Sequence, residues 1–410
     1  MRRRLARSAV LVAASLSFAA AAQVAAPPTG SPPNQPEAAL PEGKQAPAAS
    51  PWHADVVYKL DLLHLTRPRL TTGVGHLDAT LNVDADALFG WPQTTLRLEA
   101  ISDQGGRPNA SLRTVGGISN LEVAERSARL YSLWVAKDLA PGWNLLAGLY
   151  DLNSEFYNTD ASALLIHPSF GIGTDFSQSG RNGPSIFPNL SLAVRLRMQA
   201  ETGRYLQVAV LDGVAGDPGH PGNTVVRISR ADGALVVAEG GWQSGSTGLR
   251  AGLGLWGYSQ PVPRLDGTGE QRNRGAYVVA QQNLLAGPMA RTTAFLRAGV
   301  ADGAVNAVRV AADAGVLVER PLGAAGPAAL TVGITTAHFG SHRKELGRRQ
   351  GEAIATAETV VEVGLRWRLG RRWAVQPLAQ RIWNAGGRLG VNASVIGTRL
   401  EWALSSAPGS

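Results

Sequence analysis

The chain of 410 residues contains no cysteine, which excludes a disulfide framework and a thiolate metal site. Cohesion must therefore come from packing, or from a barrel that is apolar outside. After residue 22 no run of about eighteen apolar residues occurs, so no helix in that part of the sequence is suited to crossing a membrane. Methionine is scarce, with 3 residues against 48 glycines, a balance that suits many turns and strands better than helices. The seven histidines (His53, His64, His76, His167, His220, His338 and His342) form no His-Glu-x-x-His or comparable metal spacing. Neither a Gly-x-Ser-x-Gly elbow nor a Walker loop occurs, so enzymatic readings are weak and no cofactor or metal is implied. No Lys/Arg cluster is interleaved with aromatic residues, which argues against a nucleic-acid surface.

The net charge of +8 overstates the basic character of the body of the chain. Setting aside Arg2, Arg3, Arg4 and Arg7 leaves +4. Those four arginines precede an apolar stretch, Ala9 to Ala22, that ends in small residues and is short for a spanning helix. This is the layout of a secretory signal peptide over residues 1–22, with cleavage after Ala22. Residues 23–51 are dominated by Pro, Ala, Gln and Gly and cannot bury enough apolar surface to offset their ordering entropy, so a flexible periplasmic lead-in is expected. The remaining expectations are a barrel domain over 52–404 and a short tail over 405–410.

Period-two alternation runs through that body. Leu77, Ala79, Leu81, Val83, Ala85 and Ala87 alternate with Asp78, Thr80, Asn82, Asp84 and Asp86. Leu190 to Met198, Val361 to Leu369 and Ile396 to Leu404 behave likewise, each with one apolar and one charged face. A soluble sandwich also alternates, but loop length separates the two architectures. About sixteen strands are expected, starting near Val56, Leu77, Thr94, Ala128, Asn144, Leu190, Tyr205, Leu235, Leu249, Gly275, Thr292, Ala307, Leu330, Thr359, Ala374 and Val395. Even-to-odd connections are short, as at Gly90-Trp91-Pro92 and Pro141-Gly142-Trp143, while most odd-to-even ones are long, as over 103–120, 154–189 and 213–233. Short turns at one rim and long loops at the other are the layout of a transmembrane antiparallel β-barrel. Trp52, Trp91, Trp143, Trp242, Trp373 and Trp402 fall at or beside the short-turn end, where amphipathic rings suit a membrane–water interface.

The stretch from Asn144 to Met198 carries the most specific wording. Ala147-Gly148-Leu149-Tyr150-Asp151-Leu152-Asn153-Ser154-Glu155-Phe156-Tyr157 is followed by Ser169-Phe170-Gly171-Ile172-Gly173, and then by Asp175-Phe176-Ser177-Gln178-Ser179-Gly180-Arg181-Asn182-Gly183-Pro184-Ser185-Ile186-Phe187-Pro188. This block closely resembles the OprB family of carbohydrate-selective outer-membrane porins. Leu330 to Gly340 and the segment from Glu358 to Gly387 are similar to late strands and hairpins of that family. The resemblance implies a sixteen-stranded barrel in the bacterial outer membrane that passes sugars by diffusion, with 154–189 folded into the lumen. Its implied partners are sugar solutes, outer-membrane lipid and the outer-membrane assembly machinery, with a homo-oligomer left open.

In that setting Arg181, Asp175, Glu155 and Asp151 are the charged candidates of the long loop, with Asn153, Gln178 and Asn182 as neutral donors and acceptors. Sugars are polyols that suit forked donors and paired carboxylates, and Phe156, Tyr157, Phe170 and Phe176 are candidates for an aromatic sugar face. Tethering and substrate contact fit Arg181 and Glu155 equally well. Lumen parity adds Arg97 and Glu99, Arg195 and Arg197, and Arg366 and Arg368 as pore-lining candidates. A general or weakly anion-selective porin without a sugar site is the alternative reading.

Overall fold

In the computed structural model, residues 50–406 are described apart from 246, 288 and 322–325. The expected signal peptide, nearly all of the lead-in, most of the tail and parts of three short turns lie outside the described residues. Sixteen strands follow in chain order: β1 (Trp52–Thr66), β2 (Arg69–Asp84), β3 (Thr94–Gly105), β4 (Ser127–Ala140), β5 (Trp143–Tyr150), β6 (Ser191–Gln199), β7 (Arg204–Asp212) and β8 (Ala234–Ser244) make the first half. The second half is β9 (Leu249–Pro263), β10 (Glu270–Ala286), β11 (Arg291–Ala301), β12 (Val308–Pro321), β13 (Pro327–Phe339), β14 (Ala357–Leu369), β15 (Trp373–Trp383) and β16 (Ala393–Ser405). Each pairs antiparallel with its sequence neighbours, and β1 pairs with β16 to close the barrel. Closure leaves no strand edge unpaired, the condition for a sheet to cross hydrocarbon.

Alternation decides which side of the wall each residue faces. Leu62, Leu196, Leu253, Leu296, Leu365 and Ile396 are exposed on the outer surface. Asp61, Arg195 and Arg297, next to Leu62, Leu196 and Leu296, are buried inside, as is Glu362 beside the exposed Val363. No helix of the described residues is long and apolar enough to cross a membrane, so the strands make the crossing. Trp52, Trp91, Trp143, Trp242 and Trp373 lie exposed at the short-turn end, and Trp373 pairs across strands with Trp402. Such a ring of indoles suits the interfacial girdle of an outer-membrane barrel.

Two boundaries depart from the sequence reading. The second strand begins at Arg69 rather than near Leu77, because β1 and β2 join through the tight turn Arg67-Pro68 and pair from Thr66↔Arg69 onward. Gly73 and Gly75 occupy outward positions there, so the missing apolar residues hid the start of the strand. The alternation expected through Ala87 instead stops at Asp84. That carboxylate accepts from the amides of Asp86 and Ala87 and caps the short helix Ala85–Phe89, which ends on Gly90 at φ 66°.

Candidate pore lining

The segment 151–190 between β5 and β6 folds into the barrel, and wall side chains hold its backbone. Arg297 of β11 is fully buried; it pairs with Asp313 at 2.9 Å and donates to the carbonyls of Tyr157, Ser169 and Gly171 at 2.9, 2.9 and 2.6 Å. Glu362 of β14 accepts from the amides of Ile166 and His167 at 2.7 and 2.8 Å. Glu239 of β8 accepts from the Tyr157 amide, the Tyr205 and Tyr277 hydroxyls and the Arg250 guanidinium, all within 3.0 Å. A buried carboxylate with so many donors is a well-solvated ion inside protein, which is how the desolvation cost is offset. Gly299 makes room for the seat: a Cβ there would sit 2.3 Å from both the Tyr157 hydroxyl and Asp175 Oδ2.

The segment 106–126 between β3 and β4 also enters the lumen, which the sequence reading did not foresee. Glu358 accepts from the amides of Val115 and Gly116, and Asp61 accepts from the Ser119 hydroxyl at 2.6 Å while pairing with Arg399. The two inserted segments meet where the Asn120 amide donates to the Ile166 carbonyl at 2.8 Å.

The candidates from sequence separate into three groups. Arg97 donates to Glu99 at 3.0 Å and to Asn82 at 3.2 Å, half-buried on the inner wall. Arg195 forks onto Glu155 at 2.7 and 2.9 Å, with Arg197 3.8 Å away, so the loop carboxylate and the β6 arginines come together. Arg366 pairs with Glu401 at 2.6 Å, and Arg368 is half-buried further along the same strand.

The second group is structural in its contacts. Asp151 accepts from the Tyr131 hydroxyl and the Asn153 amide, and Asn153 donates to the carbonyls of Phe156 and Gly171. Arg181 is half exposed and bonds Asp232 of the β7–β8 loop, while Asn182 donates to the Ala215 carbonyl and Gln178 is exposed. Arg181 thus lies against another long loop rather than among the paired groups of the wall. Asp175 is fully buried, bonded by the Tyr157 hydroxyl at 3.0 Å, and burial pushes its carboxyl up to about 7.

The third group is the set of rings. Phe156, Tyr157, Phe170 and Phe176 are all 0% exposed and present no face to a solute. Their role is packing between loop and wall: Tyr157 stacks on Tyr277 at 4.0 Å, and Phe176 stacks on Trp256 at 4.6 Å. The expectation of a sugar face there gives way because a loop that inserts must bury its own apolar side chains against the barrel.

Residues the sequence reading passed over include Glu239, Arg297, Glu362 and Glu358. Inward parity was their available signal, and it was shared with every other lumen residue.

A closed sixteen-stranded barrel with an apolar outer face, a girdle of indoles and a constricted, charged interior defines an outer-membrane pore, a porin rather than an enzyme. The family model described as "Carbohydrate-selective porin, OprB family" matches residues 71–404, and the chain belongs to that family and to the bacterial outer membrane. Among curated proteins none matches. The high-pH structure of Pseudomonas putida OprB is similar at a TM-score of 0.73 and 16% identity, covering 86% of this chain and 94% of that one. The low-pH structure of the same protein gives 0.53 and 14%, over 86% and 92% of the two chains. An anion-selective porin from Comamonas acidovorans gives 0.53 and 10%, over 86% and 99%. At these identities the likenesses speak to the fold.

Proposed function

We propose that the protein passes neutral sugars, monosaccharides among them, by passive diffusion through a lumen whose partly exposed charges are mostly paired. The observation that carries this reading is the pairing itself: Arg97 with Glu99, Arg366 with Glu401, Lys59 with Asp78 at 4.0 Å, and Arg195 and Arg197 sharing the single carboxylate of Glu155, so that these groups together keep only a small positive excess. A lone row of arginines would concentrate anions in the lumen. Paired forks and carboxylates leave a weak net field yet offer donors and acceptors that replace the water lost by hydroxyl groups. A polyol crossing this wall exchanges one set of hydrogen bonds for another, whereas an ion gives up hydration with little net attraction in return.

The direct test is planar-bilayer recording of the purified protein with added glucose. A sugar pore shows ion current that falls as glucose is raised. Open channels indifferent to every sugar tried would contradict the proposal and favour a general or weakly anion-selective porin.

A further inference from the structure

The inner wall carries many rings, and the inserted segments cover nearly all of them. Tyr150, Tyr205, Trp256, Tyr258, Tyr277 and Phe295 all face inward and are at least 94% buried. Trp134 of β4 is the exception: among the described residues it is the one inward-facing Phe, Tyr or Trp of the wall that stays partly exposed, with one side packed against the core beneath the loop. Its register partner on β3 is Arg97, so the two side chains stand side by side on the inner face.

Small residues flank the indole on one side, and polar groups stand beside it on the other. On β5 the partner of Trp134 is Gly148, at φ 145°; a Cβ there would fall 2.8 Å from Trp134 Cβ and 2.2 Å from the Leu133 carbonyl. The β6 partner of Gly148 is Ala193, again small. On the other side, Arg97 contacts Glu99 through Oε2, and its third nitrogen reaches Asn82 Oδ1. Oε1 of Glu99 takes none of these bonds. A flat apolar plate thus adjoins a guanidinium, a carboxylate oxygen and a carboxamide.

We infer that Trp134 is the stacking platform for a pyranose ring in transit, with Arg97, Glu99 and Asn82 reading the hydroxyl groups at its edge. A pyranose has one face of C–H groups and a rim of hydroxyls, which is the shape and polarity this corner complements. An acyclic polyol has no flat face to offer and gains only the polar half of the site. This inference rests on the sugar-pore reading above and locates its binding step.

The experiment compares glucose with sorbitol as blockers of single-channel current in the wild type, Trp134→Phe and Trp134→Leu. Both substitutions keep an apolar side chain, and a sugar-free conductance close to wild type establishes that each variant forms a pore. Glucose should block the wild type better than sorbitol, and Trp134→Phe should retain that preference. Trp134→Leu should need about tenfold more glucose for the same block and should lose the preference. Glucose block in Trp134→Leu equal to wild type would overturn the platform while leaving the sugar pore standing. No glucose block in the wild type would remove the sugar reading and the platform together.

Discussion

Two regions of the inner wall obey the same parity and do different work. Beneath the inserted segments, on β8, β11 and β14, the inward charges Glu239, Arg297 and Glu362 are completely buried and bond loop backbone. On β3, β6 and the β14–β16 stretch nearer the short turns, Arg97, Arg197 and Arg366 stay partly exposed and are paired with carboxylates. The strand register places both sets inside the barrel. What separates them is whether a distant stretch of chain covers them. The first set fixes the shape of the pore, and the second provides the surface a solute meets.

The sharpest way to break this comparison is to remove one carboxylate from each region. Glu239→Ala leaves Arg250, two tyrosine hydroxyls and the Tyr157 amide without their acceptor, and an uncompensated buried cation costs about 3–5 kcal/mol. Unfolding by heat or urea should register that loss, and single-channel conductance should rise as the loop leaves its seat. Glu99→Gln breaks a partly exposed pair, keeps a hydrogen-bonding side chain beside Arg97, and should cost much less stability while shifting ion selectivity towards anions. Equal stability losses in the two variants would erase the distinction.

A smaller effect tests the loop seat through pH. Asp175 Oδ2 is buried without a partner, and burial raises the carboxyl from 3.8 to about 7, so that it is protonated in the folded barrel only below about pH 7. Its contribution to stability is complete below its unfolded value and fades as pH rises through about 7. His167, buried in the same loop, is pushed down to about 3, so its contribution is present above 6.5 and fades as pH falls towards 3. Asp175→Asn removes the first dependence alone. Midpoints of thermal unfolding across pH 4–7 should decline for the wild type relative to the variant. Parallel curves would mean that Asp175 is not protonated in its seat.

Much of the barrel was legible because strand alternation and loop sorting are local signals. Arg195, Arg366 and their outward neighbours Leu196 and Leu365 occupy the faces that alternation assigns. The β1–β2 hairpin was harder to read, since Gly73 and Gly75 erase the apolar face over the very residues that would announce the strand. The loop rings were misread because composition alone does not distinguish Phe170 presented to a sugar from Phe170 packed edge-on against Phe295, 6.4 Å away on another strand. Likewise nothing local marks Glu362 as an anchor: the amides it receives come from residues 166 and 167, far away in sequence. Burial inside a barrel is a long-range property, and the partly exposed Trp134 emerges only when the covered rings are known.

The lumen charges are mostly paired and keep only a small positive excess. The reversal potential of the wild-type pore under a KCl gradient measures that balance most directly. The account predicts a small potential, set by weak selectivity, in a channel that glucose still blocks. A potential close to the limit for a pure anion or pure cation conductor would contradict it.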